Sequence, residues 1–347
     1  MMFVKNNYTV ESVLSGHPDK ICDQISDAVL DLYLSNDINC HTAIECLGTA
    51  DRIIVAGEIN SAVSLSIDKC CIDTYKKITG ISNIKIINLL SQQSNQLIEA
   101  TLKGGAGDQG IMYGYACNSQ YNYLPYGYWL VNMIAKRLDN YRNMHKLFLS
   151  DGKVQATISN SNHINKLTLN VQHEKNTDLD ELRSKIKTDI LFDISADEIE
   201  INPFGLFING GIANDTGITG RKIIIDTYGG LAPHGGGAFS GKDPSKVDRC
   251  AAYMCRFVAK NLVSNGLANE CTVSVAYEFG CEHPVMISVI TDGTENKNIL
   301  NVVKLSFDFR PSAICERLNL RQTKYLQTAT YGHFTDPSYP WEEIVSL

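Results

Sequence analysis

Hydrophobic positions near the start of the chain change from helical spacing to alternation. Apolar residues within 20–34 repeat every three or four positions, which predicts a helix, and Pro18 suits its first turn. Alternation then predicts two strands, over 41–47 and 52–59, with a hairpin turn at 48–51 between them. The chain therefore begins with a unit in which a helix face is buried against a sheet face.

The same two spacings continue to the carboxyl end and define the remaining elements. Further helices are predicted over 64–78, 125–145, 179–189, 244–264 and 296–309. Further strands are predicted over 3–12, 84–90, 154–160, 166–173, 222–226, 271–278 and 285–291. The first unit reads β-α-β-β-α-β with residues 3–12 as its leading strand, and a similar order recurs downstream.

This order predicts an α/β (α+β) protein of three structurally similar β-α-β-β-α-β domains. Their sheets should be mainly antiparallel, with helices covering one side. We place the domains at 1–92, 105–209 and 211–347, with approximate boundaries that allow the chain to cross between domains. A Rossmann domain is not predicted, because no G-x-G-x-x-G lies between a strand and a helix.

The composition is that of a globular protein and argues against several classes of partner. Of 347 residues, 44% are apolar and 20% charged, and the formal net charge is -7, so no basic surface for nucleic acid is predicted. No signal peptide or long apolar run is found, so no membrane segment is predicted. Eleven cysteines without a C-x-x-C pair are interpreted as reduced thiols in a cytoplasmic protein.

The most informative polar segment is the glycine-rich loop over 234–243. It contains G-x-x-x-x-G-K, from Gly236 to Lys242, in which backbone N–H groups and a lysine would hold phosphate oxygens. Asp243 stands where a P-loop needs Ser or Thr to hold magnesium, so we predict a polyphosphate–metal site unlike that of a P-loop NTPase. Lys242 and Lys246 would share one face of the following helix, where two like charges favour an anion between them.

Two clusters near the amino end have a structural interpretation as well as a chemical one. His-Pro-Asp-Lys at 17–20 places a hydrogen-bond donor, a metal-type carboxylate and a cation in one turn, or it simply caps a helix. With Thr49-Ala50 as a two-residue turn, Glu45 faces Ile54, on the sheet face that also carries Glu58. Two carboxylates on one face favour bound cations, unless that face is wet.

Two glycine-containing segments complete the candidate chemistry. Gly-Asp-Gln-Gly at 107–110 is either a ligand loop or an ordinary turn, whereas 215–222 ends in adjacent cations that suit a polyanion. Four cations suit a triphosphate: Arg221, Lys222, Lys242 and Lys246. The accompanying carboxylates of Asp215 and Asp248 suit magnesium.

These motifs occur in an order that resembles the methionine adenosyltransferase (S-adenosylmethionine synthetase) family. The matching segments are Glu11-Ser12-Val13, Gly16 to Lys20, Gly105 to Gly110, Gly217 to Gly230, His234 to Asp243, Lys246 to Arg249, and Tyr331 to Phe334. The resemblance covers nearly the whole chain. It implies three α/β domains around a pseudo-threefold axis, and synthesis of S-adenosylmethionine from ATP and L-methionine with release of phosphate and pyrophosphate.

The resemblance also implies roles for individual residues. Catalytic roles fall to His17, Lys153, Arg221, Lys242 and Lys246. ATP contacts fall to His17, Asp108, Asp151, Lys153, Phe207, Asp215, Arg221, Lys222, Ala238 and Lys242. Methionine contacts fall to Glu58, Gln93, Asp215 and Lys246. Two Mg²⁺ ions per site would be bound, one by Asp19 and the other by Asp248 from the partner chain. K⁺ would be bound by Glu45. The implied assembly is a homodimer with shared active sites, or a dimer of such dimers.

The chemistry of this family fits the residue types present. Methionine sulfur is a neutral nucleophile that needs no general base, so the site must position its substrates and stabilise a polyanionic leaving group. Two rival interpretations remain: an ATPase or kinase that uses 236–242 as a P-loop, and a non-catalytic member of the fold. Methionine-dependent cleavage of ATP would distinguish them.

Several positions depart from the family pattern. Leu206 replaces an arginine before Phe207, and Phe279 lies in an altered segment over 277–281. The stretch 118–150 matches poorly. Residues 94–104, which are shorter than the matching segment of the family, are predicted to form a lid that closes over bound substrates.

Overall fold

Twelve strands form three four-stranded sheets in the part of the chain that the computed structural model describes, residues 7–93 and 104–347. The strands are β1 Tyr8–Val13, β2 His41–Thr49, β3 Arg52–Asn60, β4 Lys85–Gln92, β5 Gly110–Cys117, β6 Gly152–Ile158, β7 Ile164–Val171, β8 Glu198–Ile201, β9 Gly217–Ile218, β10 Glu270–Tyr277, β11 Met286–Thr291 and β12 Thr294–Glu295. We call β4-β3-β2-β9 the N-terminal sheet, β1-β6-β7-β8 the central sheet and β12-β11-β10-β5 the C-terminal sheet.

Eight α-helices accompany these sheets in the described residues. They are α1 Pro18–Asn36, α2 Asp68–Thr79, α3 Tyr126–His145, α4 Leu179–Lys185, α5 Ile223–Thr227, α6 Val247–Ser264, α7 Lys297–Ser306 and α8 Pro311–Arg317. A π-helical turn follows α4 at Ile186–Ile190, and short 3₁₀ turns lie at Gly211–Ala213, Leu320–Gln322, Leu326–Thr328 and Pro340–Glu342.

One long helix lies against the inner face of each sheet. Helix α1 packs on β2, α3 packs on β1 and β6, and α6 packs on β5 and β10. The approach of α6 to β5 is close, because a Cβ atom at Gly114 would lie 2.0 Å from the backbone carbon of Cys255. These helices and the inner sheet faces form one continuous buried core.

The three sheets exchange edge strands in a cycle. The first strand of the chain, β1, pairs with β6 in the central sheet, while β5 joins the C-terminal sheet and β9 joins the N-terminal sheet. The prediction of residues 3–12 as the leading strand of the first unit is therefore wrong, because that strand is hydrogen-bonded into another sheet. The exchange ties distant parts of the chain together.

Three local predictions are also wrong. Residues 222–226 do not form a strand; α5 is a helix because Ile225 and Asp226 turn into the core and Asp226 pairs there with Lys20. The helix predicted over 244–264 begins at Val247. In the first hairpin Thr49 pairs with Arg52, so Glu45 faces Ala56 and not Ile54.

The predicted class of three similar α/β domains with mainly antiparallel sheets is confirmed; the parallel pairs are β3–β4 and β7–β8. The domain boundaries at 1–92, 105–209 and 211–347 stay a prediction. The lid predicted over 94–104 lies, except for Gly104, outside the described residues. Over 7–93 and 104–347, no helix is both long and apolar enough to cross a bilayer.

Candidate active site

His17 occupies the amino-terminal end of α1, with Pro18 in the first helical position. Its Nδ1 accepts the backbone N–H of Asp19 at 3.2 Å, which leaves the proton of the neutral ring on Nε2. Burial, followed by the charge of Lys222, lowers the pKa of His17 to about 4. At neutral pH the side chain is an uncharged hydrogen-bond donor at the mouth of a cavity.

That cavity, of about 190 Å³, brings together residues from three distant parts of the sequence. Its lining comprises His17, Pro18, Asp151, Gly152, Lys153, Phe207, Asn214 and Asp215. The β1–β6 pairing brings the segments 17–18 and 151–153 together, because it places Val13 opposite Lys153. The Gly16 N–H then donates to the Ser150 carbonyl at 3.0 Å. A Cβ atom at Gly16 would lie 2.3 Å from the Ser150 side chain, so the approach requires glycine.

The far wall of the cavity is held by backbone contacts. Asp151 accepts the Gly211 N–H at 2.8 Å, and burial raises the pKa of this carboxyl. The Phe207 N–H donates to Nε2 of His173 at 3.0 Å, while the His173 N–H donates to the Phe207 carbonyl at 2.9 Å. His173 thus fixes the loop that carries Phe207, and no pattern in the sequence identified it.

Asp19 lies beside the cavity and joins it to two cations. Its carboxylate contacts Lys222 Nζ at 2.6 Å and Arg221 Nε at 3.5 Å, and it accepts the Ile218 N–H at 3.0 Å. Burial raises the pKa of Asp19, but Lys222 and the Ile218 N–H outweigh it and lower the net value. We call the residues of the cavity together with Asp19, Arg221 and Lys222 the His17 cluster.

The glycine-rich loop 234–243 is anchored to β2 through Asp243. The buried Asp243 carboxylate accepts the Thr42 N–H at 2.9 Å and the Ser245 N–H at 2.8 Å. Burial alone would raise the pKa of Asp243, but His41 and Lys246 bring it well below its usual range. This carboxylate therefore serves the fold of the loop, which is why it can stand where a P-loop has Ser or Thr.

Three charged side chains at the end of the loop form what we call the Lys242 cluster: Lys242, Lys246 and Asp248. Lys242 Nζ pairs with the Asp248 carboxylate. Lys246 Nζ is buried and has no hydrogen-bond partner among the described residues; the Asp243 carboxylate is 3.7 Å away. Lys242 and Lys246 do not share a helix face as predicted, because α6 starts only at Val247.

Ala238 brings the loop close to the His17 cluster. A Cβ atom at Gly220 would lie 2.6 Å from the Ala238 Cβ, and Gly220 immediately precedes Arg221. Within the described residues, no hydrogen bond or ion pair joins the two clusters directly. One chain therefore presents two groups of phosphate-type residues that lie near each other without side-chain contact.

Four predicted residues belong to neither cluster. Glu45 and Glu58 are exposed on the outer face of the N-terminal sheet, which agrees with the wet-face interpretation in a single chain. Gln93 follows β4 and is buried, and its side-chain amide has no partner in 7–93 or 104–347. Asp108 is exposed before β5, in a loop held by the Gly280 N–H, which donates to the Ala106 carbonyl at 2.7 Å.

Comparison with known proteins identifies the family of the chain. Models of the S-adenosylmethionine synthetase N-terminal, central and C-terminal domains match residues 5–98, 103–210 and 209–343. An S-adenosylmethionine synthase of Petrotoga mobilis is 41% identical over 97% of this chain and 96% of its own length. One of Staphylococcus epidermidis is 39% identical over 99% of this chain and 97% of its own length. The chain belongs to the S-adenosylmethionine synthetase family.

Membership of the S-adenosylmethionine synthetase family defines the reaction and its substrates. The activity is that of a methionine adenosyltransferase, which converts ATP, L-methionine and water into S-adenosylmethionine, phosphate and pyrophosphate. Enzymes of this family depend on metal ions. The P-loop ATPase interpretation and the non-catalytic interpretation are set aside by this membership.

The carboxylates of the two clusters fit Mg²⁺ chemically. Across the described residues, no group of three or more His, Cys, Asp or Glu side chains is placed to hold a metal on its own. Asp19 and Asp248 instead offer one carboxylate each beside lysines, and Mg²⁺ is commonly held by one or two carboxylates together with substrate phosphates. The buried Lys246 ammonium has no hydrogen-bond partner among the described residues and is the kind of group that a bound anion would satisfy.

A series of aspartates runs along α1, which we call the aspartate ladder: Asp19, Asp23, Asp27 and Asp31. Sequence reasoning identified Asp19 and missed the other three. Each carboxylate accepts backbone N–H groups from the second half of the chain, and the donors in order are Ile218, Gly220, Gly241, and Tyr325 with Leu326. A signal was present, because like charges four residues apart destabilise a helix unless partners neutralise them. The ladder aligns the glycine-containing segments of the chain along one helix.

Proposed function

We propose that one active site forms between two copies of the chain. The His17 cluster of one copy, which includes Asp215, faces the Lys242 cluster, Glu58 and Gln93 of the other. The observation that carries this proposal is that no hydrogen bond or ion pair joins the two clusters among the described residues of one chain. Glu58 lies on an exposed sheet face, and the buried ammonium of Lys246 has no hydrogen-bond partner among the described residues, with the Asp243 carboxylate 3.7 Å away. A reaction that joins methionine to ATP needs all of these groups around one substrate pair.

The exposed sheet face suits such an interface. On the outer face of the N-terminal sheet, Ile54 pairs with Ile87 and Ala56 pairs with Leu89, and the side chains of Ile87 and Leu89 are 37% and 60% exposed. Contiguous apolar surface of this kind is typical of protein–protein contacts. The apolar face therefore supports a homodimer with shared sites. A second copy that buried it would also take Glu45 and Glu58 out of water, where a bound cation or a substrate ammonium would have to neutralise them.

In the proposed reaction, a lone pair of the methionine sulfur attacks C5′ of ATP. The C5′–O bond breaks, its electrons stay on the departing tripolyphosphate, and the sulfur becomes a sulfonium. Nε2–H of His17 donates to the departing oxygen. Water then adds to the bound tripolyphosphate, which gives phosphate and pyrophosphate.

The cations of both clusters stabilise the tripolyphosphate as its charge grows. Lys153, Arg221 and Lys222 act from one copy, and Lys242 acts from the other. A unit-charge contact near 4 Å is worth about 4 kcal/mol at an effective dielectric of about 20. Several such contacts in a site shielded from water can supply much of the catalysis.

The remaining residues hold the two substrates. Phe207 stacks on adenine, and Asp108 and Asp151 bind the nucleoside. The methionine side is formed by Glu58, Gln93, Asp215 and Lys246, whose charges complement its ammonium and carboxylate groups. Ala238 lets the loop backbone approach the phosphates.

Asp19 and Asp248 would hold the two Mg²⁺ ions, and Glu45 would hold K⁺. Bound Mg²⁺ neutralises phosphate charge and fixes the orientation of the polyphosphate chain. Lys222 and Lys242, which pair with these two carboxylates in the single chain, would then turn to the phosphates. We place this enzyme in the cytoplasm, where reduced cysteines agree with the free thiols of the structure.

Subunit mixing tests the shared site. Asp19→Asn and Asp248→Asn chains, each inactive alone, are allowed to exchange, and S-adenosylmethionine is measured by mass spectrometry. In a shared site a heterodimer keeps one intact pair of carboxylates, so an equal mixture should recover about a quarter of wild-type activity. No recovery, with heterodimers verified by differently tagged chains, would mean that each site is built within one chain.

A further inference from the structure

The third carboxylate of the aspartate ladder, Asp27, lies deep in the protein and bonds on two sides. Its side chain and that of Arg249 are both 0% exposed. Nη2 of Arg249 donates to both Asp27 oxygens at 2.8 Å. Oδ1 of Asp27 also accepts the Gly241 N–H at 2.8 Å.

The same contacts enclose the backbone of Lys242. Asp27 holds the N–H of Gly241, and the Gly241 carbonyl accepts the Ile44 N–H at 3.0 Å. Nη1 of Arg249 donates to the Lys242 carbonyl at 3.1 Å. Because Arg249 directly follows Asp248 in the first turn of α6, one buried ion pair fixes both ends of the Lys242–Asp248 pair.

Two further features keep this arrangement rigid. Gly241 has φ +79°, and a Cβ atom there would lie 1.8 Å from the Ile44 carbonyl oxygen, so the loop has no room to shift toward β2. The Arg249 guanidinium stacks on the Tyr325 ring, with 4.3 Å from its central carbon to the ring centre. The Tyr325 N–H is held in turn by Asp31, the next residue of the ladder.

A buried ion pair is by itself weak evidence for a contribution to stability, because desolvation of both charges offsets much of their attraction. The contacts here are directed at the loop that bears Lys242. We infer that Asp27 is a positioning residue: through Gly241 and Arg249 it sets where Lys242 and Asp248 meet the triphosphate, without touching substrate itself. This inference rests on the proposed function, in which Lys242 binds phosphate and Asp248 binds Mg²⁺.

The test compares Asp27→Asn with Asp31→Asn in the full-length enzyme. Asp31 is the control on the same helix. Asparagine there keeps Oδ1, which accepts the Tyr325 N–H and so leaves the ring under Arg249 in place, and it loses only the acceptor for the Leu326 N–H, which lies outside the glycine-rich loop. Arg249→Lys is the second arm; it keeps the charge opposite Asp27 but has no second nitrogen to reach the Lys242 carbonyl at the same time. Folded fraction is measured by urea unfolding, and all rates are expressed per folded chain.

The readouts separate the phosphate side from the methionine side. For Asp27→Asn and Arg249→Lys we expect kcat/KM for ATP to fall about 100-fold, as for a displacement of about 1 Å, while KM for methionine stays within about threefold. Affinity for tripolyphosphate with Mg²⁺, measured by calorimetry, should fall about tenfold or more. For Asp31→Asn, kcat/KM for ATP, KM for methionine and tripolyphosphate affinity should all stay within about threefold of the wild-type values.

The inference would be overturned if Asp27→Asn and Asp31→Asn lost equal amounts of kcat/KM for ATP and of tripolyphosphate affinity. It would also be overturned if the losses of Asp27→Asn vanished once they were corrected for the folded fraction. If Asp27→Asn does not fold, Arg249→Lys decides alone, and normal tripolyphosphate affinity in that variant would overturn it. A wild-type enzyme that binds tripolyphosphate but makes no S-adenosylmethionine would refute the proposed reaction, whereas the binding comparison would still test Asp27. A wild-type chain that does not bind tripolyphosphate would overturn both.

Discussion

Replacement of Gly237 by alanine should displace the Asp248 carboxylate. A Cβ atom at Gly237 would lie 2.1 Å from Oδ1 of Asp248, and real Cβ contacts essentially never fall below 3.0 Å. The carboxylate must therefore retreat by about 0.9 Å. Gly237 has no positive φ, so alanine adds no backbone strain there, and loss of unfolded-state freedom contributes about 0.4–1 kcal/mol of stability. The steric effect falls on the proposed metal ligand alone.

We expect Gly237→Ala to lower kcat/KM about 100-fold, the usual scale for a displacement of about 1 Å in an active site. The free Mg²⁺ concentration that gives half-maximal S-adenosylmethionine formation should rise at least about tenfold, with the urea midpoint nearly unchanged. Gly236→Ala is the matched control. It has open space around the new Cβ but φ +99°, so it should lose about 1–2 kcal/mol of stability and keep its Mg²⁺ response. An unaltered Mg²⁺ response in Gly237→Ala would refute the assignment of Asp248.

Three further predictions concern single side chains. His17→Asn should slow sulfonium formation about 100- to 1000-fold in single-turnover experiments and leave ATP affinity nearly intact, because it removes a donor to the departing oxygen; normal chemistry with weaker ATP binding would make His17 a ground-state contact. Glu45→Gln should reduce stimulation by K⁺ more than dependence on Mg²⁺, and an equal K⁺ response would remove Glu45 from that site. Burial, with the charges of Lys20 and Arg249, holds the pKa of His333 well below the ordinary histidine value of 6.5. Below pH 6.5 the unfolded chain therefore binds a proton that the folded chain does not, and stability falls as the pH drops through this value. Between pH 7.5 and 5.5 the wild type should lose about 1.4 kcal/mol more unfolding free energy than His333→Gln in urea titrations, and equal losses would show that His333 takes up its proton in the folded state.

Periodicity predicted most elements, because helix and strand faces are buried at fixed spacings. Helix α3, for example, was predicted at 125–145 and lies at Tyr126–His145. The exchange of edge strands was not predictable in this way. Alternation along β1 shows which face is buried, but it carries no information about whether β2 or β6 lies beside it.

Local sequence also misled where tertiary contacts decide the outcome. The isoleucines of 223–225 are typical of a strand, yet α5 forms because Asp226 must reach the ammonium of Lys20 inside the protein. The hairpin turn was placed one residue early, which shifted the partner of Glu45 by two positions. Glu45 and Glu58 still share a face, because a shift of two preserves the side of the sheet.

The candidate site, like the fold, was only partly predictable from the sequence. Charged residues that cluster in sequence, such as 215–222 and 234–248, were identifiable because their charges need partners. Asp23 and Asp27 were not, since their partners lie about 200 residues away and only the folded chain brings them together. Family resemblance supplied the roles of isolated residues such as Phe207, and composition and spacing had no means to assign them.

The glycine-rich loop shows how one substitution within a phosphate-binding pattern can alter the site without removing it. In a P-loop, the residue after the lysine holds the metal, and the loop is formed by the strand and helix on either side. Here that residue is Asp243. Its carboxylate accepts hydrogen bonds from two backbone N–H groups, and the Lys246 ammonium lies 3.7 Å away. The loop is thereby tied to β2, and a metal ligand has to come from elsewhere. Asp248 lies one turn further on, partly exposed and paired with Lys242. The proposed site therefore separates two tasks that a P-loop combines: Asp243 shapes the loop, and Asp248 carries the charge that Mg²⁺ requires.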